Sequence, residues 1–125
     1  ACSLLGIHSI SVLENHPMRG PLFENFIVVE FMKQLLNQGK HPNCYYWRDS
    51  TGHEIDLLIE RSSHIFPIEI KSSQTLKTDF FNTLEFFQKI SGTPPEQSFL
   101  VYAGTENQNR LHGNARSWDN LPVFD

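Results

Sequence analysis

Hydrophobic positions along this chain follow two repeat lengths, and the switches between them lay out the elements. Between residues 21 and 38, Phe23, Phe26, Ile27, Phe31 and Leu35 recur at helical spacing and form a wide apolar stripe, with Pro21 suited to the first helical position. Short apolar runs at 44–48, 54–60 and 65–71 predict strands. A second helix is predicted over 79–90, where Phe80, Leu84 and Phe87 share one face, and a further strand over 98–102. The predicted order is α-β-β-β-α-β. The stretch from residue 104 onward is polar and rich in turn residues; it reads as loop, held down by Trp118, Leu121 and Phe124.

Alternation sorts the two central strands. Glu54, Asp56 and Leu58 are expected on one face of the first, and Ile55, Leu57 and Ile59 on the other. In the next strand Pro67, Glu69 and Lys71 share a face, and Phe66, Ile68 and Ile70 line the opposite, apolar one. Residues 61–64 suit a tight hairpin, and a symmetric loop of two or four residues pairs Glu60 with Ile65. In that register Asp56 lies directly opposite Glu69. Neighbouring strands sit about 4.8 Å apart, so two facing carboxylates can grip one divalent cation, with Lys71 two residues farther along. Without a cation, directly opposed like charges destabilise a sheet. The bland alternative is a solvated sheet face on which Lys71 neutralises Glu69.

Composition narrows the class. The chain has 125 residues, of which 39% are hydrophobic and 19% charged, as in one compact globular domain rather than a disordered, collagenous or coiled-coil chain. Ten Lys and Arg against fourteen Asp and Glu give a net charge of −4, so any contact with nucleic acid has to be local. No apolar run approaches the roughly 20 residues that cross a bilayer, and the first residues do not form a signal peptide. A soluble protein with no membrane contact is expected. Cys2 and Cys44 form no CxxC pair and too small a set for a zinc cage, which suits a reducing, cytoplasmic home. The histidines are scattered, and Glu54 beside His53 makes no HExxH motif.

One acidic residue interrupts the first helix. Glu24 shares a face with Ile27, Val28, Phe31 and Leu35, so its carboxylate is aimed toward the core side, although an acid in a first turn also complements the helix dipole. Glu24, then IDLLI over 55–59, then PIEIKSS over 67–73, resemble the PD-(D/E)xK nuclease superfamily. Three longer stretches, GPLFENFI (20–27), YYWRDSTGHEIDLLI (45–59) and LVYAGTENQNRLHGNARSW (100–118), resemble the uncharacterised C-terminal domain of a bacterial and archaeal AAA-type ATPase family. The opening ACSLLGI resembles the end of a helical stretch that follows the ATPase module. Residues 1–19 are therefore expected to close that segment, and residues 20–125 to form the nuclease-like domain.

The resemblance implies a restriction-endonuclease-like αβββαβ core, a mixed central sheet flanked by helices. It implies that Asp56 and Glu69 bind Mg²⁺ or Mn²⁺, that Lys71 is the catalytic lysine, and that Glu24 is the helix carboxylate used by resolvase-like members. Ile55 stands where the superfamily motif is named for Pro. Two functions follow as expectations: metal-dependent phosphodiester hydrolysis on DNA in concert with the N-terminal ATPase module, or a non-catalytic accessory module that recognises DNA or protein. No GxxxxGK[ST] motif occurs in this sequence. Tyr45 and Trp47 suit a cross-strand aromatic core better than a base-stacking platform, Lys77, Arg110 and Arg116 are candidates for phosphate contact, and Phe81 and Phe86 for contact with the ATPase.

Overall fold

The computed structural model describes residues 19–39 and 43–124. Most of the segment expected to close a preceding helical stretch, 1–19, lies outside the described residues. The elements are helix α1 (Arg19–Asn37), strands β1 (Cys44–Arg48), β2 (Glu54–Arg61) and β3 (His64–Lys71), a 3₁₀ turn (Thr78–Phe81) leading into helix α2 (Asn82–Ser91), and strands β4 (Phe99–Tyr102), β5 (Gln108–Arg110) and β6 (Gly113–Ser117). The six strands form one mixed sheet in the order β1-β2-β3-β4-β6-β5. Pairings β3/β4 and β4/β6 are parallel, and the others are antiparallel. Among the described residues, no helix is long and apolar enough to cross a membrane.

A helix covers each face of the sheet. On one, Phe23, Ile27, Phe31 and Leu35 of α1 pack with Leu57, Ile59, Ile68, Ile70, Phe99 and Val101. On the other, Phe81, Leu84 and Phe87 pack with Ile55, Leu58, Leu100, Tyr102 and Ala115. Strands covered on both sides need apolar residues at successive positions, and the run Leu57-Leu58-Ile59 meets that need by being buried throughout. α2 stops at Gly92, whose φ of 76° lets its N–H reach back to the Gln88 carbonyl at 2.9 Å. Phe124 enters the α1-side core, and Trp118 and Leu121 pack against it, so the expected anchors hold the tail.

Three expectations are corrected. The tail is not all loop: β5 and β6 extend the sheet. Their inward residues, Gly113, Ala115 and Ser117, alternate with half-buried polar ones, and small side chains carry almost none of the hydrophobic signal by which strands are read. Phe81 is 3% exposed and belongs to the core, so it is not a surface for another module. Phe86 is half-buried and stacks on His53, ring centroids 3.8 Å apart. Of the β1 aromatics only Trp47 joins the core, edge-on to Phe87 at 5.1 Å, while Tyr45 and Tyr46 remain more than half exposed.

The third correction concerns β2. Tyr45 pairs with Leu58 and Trp47 with Ile55, so the single residue Tyr46 faces two, Asp56 and Leu57. This bulge breaks the alternation. Ile55, expected beside Leu57 and Ile59, packs instead with Leu58 on the α2 side. A bulge bends its strand and re-aims one side chain, and here the extra residue falls at Asp56.

Candidate active site

The hairpin arithmetic holds at its closed end. Glu60 pairs with Ile65 and Arg61 with His64, which leaves Ser62-Ser63 as a two-residue loop with both φ values positive, 51° and 66°. Positive φ at both central positions is the signature of a type I′ turn, whose twist matches that of the strands it joins. The ladder runs from there to Leu57–Ile68. The same count, continued one step, sets Asp56 opposite Glu69.

At that step side chains replace the ladder. The Asp56 N–H donates to Glu69 Oε1 at 3.2 Å, and the Ile70 N–H donates to Asp56 Oδ2 at 2.8 Å. Beyond it β2 stays paired with β1 as far as Glu54, and β3 with β4 as far as Lys71. The two strands therefore part, each following its outer neighbour. The carboxylates lie in the resulting fork, each reaching across to the opposite backbone, rather than standing side by side on one flat face as alternation predicts.

Burial dominates the electrostatics of the fork. Glu69 is 4% exposed. Desolvation, reinforced by the charge of Asp56, pushes its carboxyl from the ordinary 4.5 up to about 8, against the pull of Lys71. Desolvation raises Asp56 as well, while the bond from the Ile70 N–H opposes it. The pair therefore shares one proton near neutral pH. Two close carboxylates out of water do not both ionise, so the buried pair carries a single negative charge, with Glu69 the more strongly raised. Lys71 Nζ stands 3.9 Å from Glu69 Oε2 and 5.5 Å from the centroid of the Phe80 ring, so the single negative charge of the acid pair and an aromatic face fix its position.

Glu24 meets this group from the first turns of α1. A cleft of about 550 Å³ is lined by Gly20, Pro21, Glu24, Asn25 and Val28 of the helix and by Ile70, Lys71 and Ser72 from the end of β3. Burial and then the charge of Asp56 raise the Glu24 carboxyl above its ordinary range, and Lys71 draws it back. Among the described residues no hydrogen bond joins Glu24 to Asp56 or Glu69, so it approaches as a charged neighbour across the cleft. A larger cavity of about 650 Å³ lies elsewhere, between the second half of α1 and the tail; Asp56, Glu69 and Lys71 take no part in it.

Glu54, expected on one face of its strand with Asp56 but not among the predicted site residues, joins the group. The bulge leaves it near the fork, where its charge raises both Glu24 and Asp56. It accepts the Tyr46 hydroxyl and stands 3.8 Å from Arg48 Nε. The signal available in the sequence was its spacing of two from Asp56, which alternation over-reads as a plain solvated face.

Among the described residues no three His, Cys, Asp or Glu side chains come together as a metal cage. The fork offers two carboxylates and a lysine. Mg²⁺ suits such a site, because it dehydrates reluctantly and is commonly held by one or two carboxylates with water and phosphate oxygens completing its shell. Two buried acids forced to share a proton are also a set of oxygen donors that a divalent cation relieves.

No solved structure matches the chain. Uncharacterised proteins of Mycobacterium tuberculosis and Mycobacterium bovis are each 36% identical to it over 73 residues, a match covering 58% of this chain but only 15% of theirs. A family model matches residues 19–121, from the start of α1 past the last strand, and the chain thus belongs to the domain-of-unknown-function family DUF4143.

Proposed function

We propose that this domain is a divalent-metal-dependent phosphodiesterase of the PD-(D/E)xK class that acts on DNA as part of a longer, AAA-type ATPase-bearing protein. The order α1-β1-β2-β3-α2-β4, with β1 to β3 antiparallel and β4 parallel to β3, supports a restriction-endonuclease-like core. One observation carries the chemistry: Asp56 and Glu69 meet where two strands part, with Lys71 beside them.

In this reading Asp56 and Glu69 hold Mg²⁺ or Mn²⁺. When bound, such an ion polarises a phosphoryl oxygen and lowers the pKa of a bound water. The Ile70 N–H anchors Asp56 by Oδ2 and the Asp56 N–H anchors Glu69 by Oε1, so each carboxylate would offer its other oxygen to the ion. On taking up that ligand role Glu69 would give up the shared proton to solvent. Lys71 donates hydrogen bonds, orienting the attacking water and steadying charge on the phosphate. Glu24, with a raised pKa and a place across the cleft from Lys71, accepts a proton from that water.

Calorimetric titration with Mn²⁺ tests the metal site: binding is expected in the wild type and absent in Asp56→Ala. The full-length protein is expected to cleave DNA with Mg²⁺ or Mn²⁺ and to lose cleavage in Lys71→Ala. Metal binding without cleavage of any nucleic acid would instead support the accessory-module reading, which the net charge of −4 favours.

A further inference from the structure

Charge pairing divides the basic residues of this acidic domain into two sets. Lys33, Arg48, Lys71 and Lys89 each lie within 3.9 Å of a carboxylate. Among the described residues Arg61, Lys77, Arg110 and Arg116 have no such partner, and two of them, Lys77 and Arg110, rest against rings of the same short turn. Lys77 Nζ lies 6.0 Å from the centroid of the Phe80 ring, the ring that also holds Lys71 at 5.5 Å. Arg110 Cζ lies 6.0 Å from the ring of the next residue, Phe81, and its Nε donates to Gln108 Oε1; among the described residues the rest of the guanidinium has no side-chain acceptor. Three cations thus rest on two consecutive phenylalanines of the Thr78–Phe81 turn, Lys71 from β3 beside the fork and Arg110 from β5 at the edge of the sheet. Asp79 is the one carboxylate within the turn itself.

The segment that delivers Lys77 is seated rather than loose. The Ala103 N–H donates to the Ser73 carbonyl at 3.0 Å, and the Thr75 N–H to Ser73 Oγ at 3.1 Å. Gly104 lets the segment lie close, since a Cβ there would stand 2.6 Å from the Gln74 carbonyl oxygen. We propose that Lys71, Lys77 and Arg110 form a basic track that carries the phosphodiester backbone of a single nucleic-acid strand over the Thr78–Phe81 turn and into the fork. This rests on the phosphodiesterase reading for its end point at Lys71. A narrow line of cations on an otherwise acidic domain fits one backbone; a duplex presents two, and its non-specific affinity calls for a broad basic face. The cations supply charge without base-edge contacts, so the track carries no sequence preference.

The test is fluorescence anisotropy with the full-length protein in chelator, so that nothing is cleaved, on a short single-stranded oligonucleotide across a salt series. Lys77→Ala with Arg110→Ala is expected to weaken binding at low salt about tenfold or more. It should also flatten the slope of log affinity against log salt by about 1.4, or about 0.7 for each phosphate contact removed. Lys77→Arg with Arg110→Lys should restore both quantities, and Lys33→Ala, on the helix that covers the other face of the sheet and already paired with Glu30, should change neither. Four results overturn the proposal: an unchanged slope in the double variant, tighter binding to duplex than to single strand, equal competition by polyglutamate, or no binding by the wild type. Its failure is distinguishable from that of the phosphodiesterase reading. Mn²⁺ titration reports on Asp56 and Glu69 whatever the track does, and the anisotropy series reports on the track with no metal present.

Discussion

Strands β2 and β3 are joined by the same hairpin at one end and parted by a pair of acids at the other, and the two ends of this ladder obey opposite rules. At the closed end, backbone pairs run without interruption from Arg61–His64 to Leu57–Ile68, and the inward side chains Ile59 and Ile68 are fully buried. The backbone groups of these pairs are met by the ladder and the inward apolar side chains by a core; Arg61 Nε is the exception, buried without a partner among the described residues. At the open end a bulge has taken β2 out of phase, the ladder bonds are replaced by carboxylates, and a buried acid keeps its proton at neutral pH. The first arrangement is what stability alone selects. The second costs stability in a protein without metal, and such local violations mark sites kept for chemistry. Substitutions at the two ends should therefore separate folding from function.

The largest effect is expected at the open end and should leave the fold untouched. Lys71→Ala should lower cleavage by the full-length protein about 10²- to 10⁴-fold, the loss typical of a side chain that acts in the transition state. Its thermal midpoint and Mn²⁺ affinity should stay near those of the wild type, because Lys71 is half-exposed and is no ligand. Ile68→Ala, at the closed end and about equally large on the energy scale, should do the reverse. Deleting a fully buried branched side chain costs about 2 to 5 kcal/mol. Denaturant unfolding should show that loss, and the protein that remains folded should still bind Mn²⁺. If both variants lost stability equally, the contrast between the ends would collapse.

A smaller effect follows from the shared proton. Glu69 titrates near 8 in the folded chain and near 4.5 unfolded, so the folded state binds this proton more tightly. The stabilisation is fully present below pH 4.5 and is lost as pH rises toward 8. Metal-free protein should therefore weaken by a few kcal/mol across that window, and under the proposed function Mn²⁺ would take the proton's place and recover the loss at the alkaline end. Glu69→Gln keeps an acceptor for the Asp56 N–H and a donor for the Asp56 carboxylate. Its stability should stay nearly flat with pH while Mn²⁺ binding disappears. A wild type equally stable at both ends of the window would remove the shared proton.

These expectations also mark what the sequence could and could not disclose. Helical and strand periods placed α1, β1, β2, β3, α2 and β4 to within a residue or a few, because each buries large side chains at a fixed repeat. Hairpin symmetry around Ser62-Ser63 then set Asp56 against Glu69, since counting outward from a short loop needs no knowledge of the third dimension. The bulge stayed hidden. It is a mismatch between β1 and β2 at Tyr46, a property of two strands together, and the apolar run Leu57-Leu58-Ile59 covers any slip in alternation. The place of Glu54 at the fork stayed hidden with it, and β6 because its inward residues are too small to register. The raised pKa of Glu69 depends on how completely the two helices and the neighbouring strands exclude water, which no local pattern encodes.

The smallest effect belongs to the turn that closes the ladder. Ser62 and Ser63 hold φ values of 51° and 66°, a region that serine enters at a cost and that asparagine and glycine enter readily. A type I′ turn calls for this pair of angles, so Ser62→Asn with Ser63→Gly fits the existing backbone and relieves its strain without moving either strand. The gain should be about 1 kcal/mol in denaturant unfolding, reduced a little by the freedom that glycine adds to the unfolded chain. Because the register is counted from this loop, tightening it should leave the Asp56–Glu69 meeting, the Mn²⁺ affinity and the cleavage rate unchanged. A change in metal affinity would mean that the loop and the fork are mechanically coupled through the five ladder pairs between them, and the two ends would then have to be treated as one device.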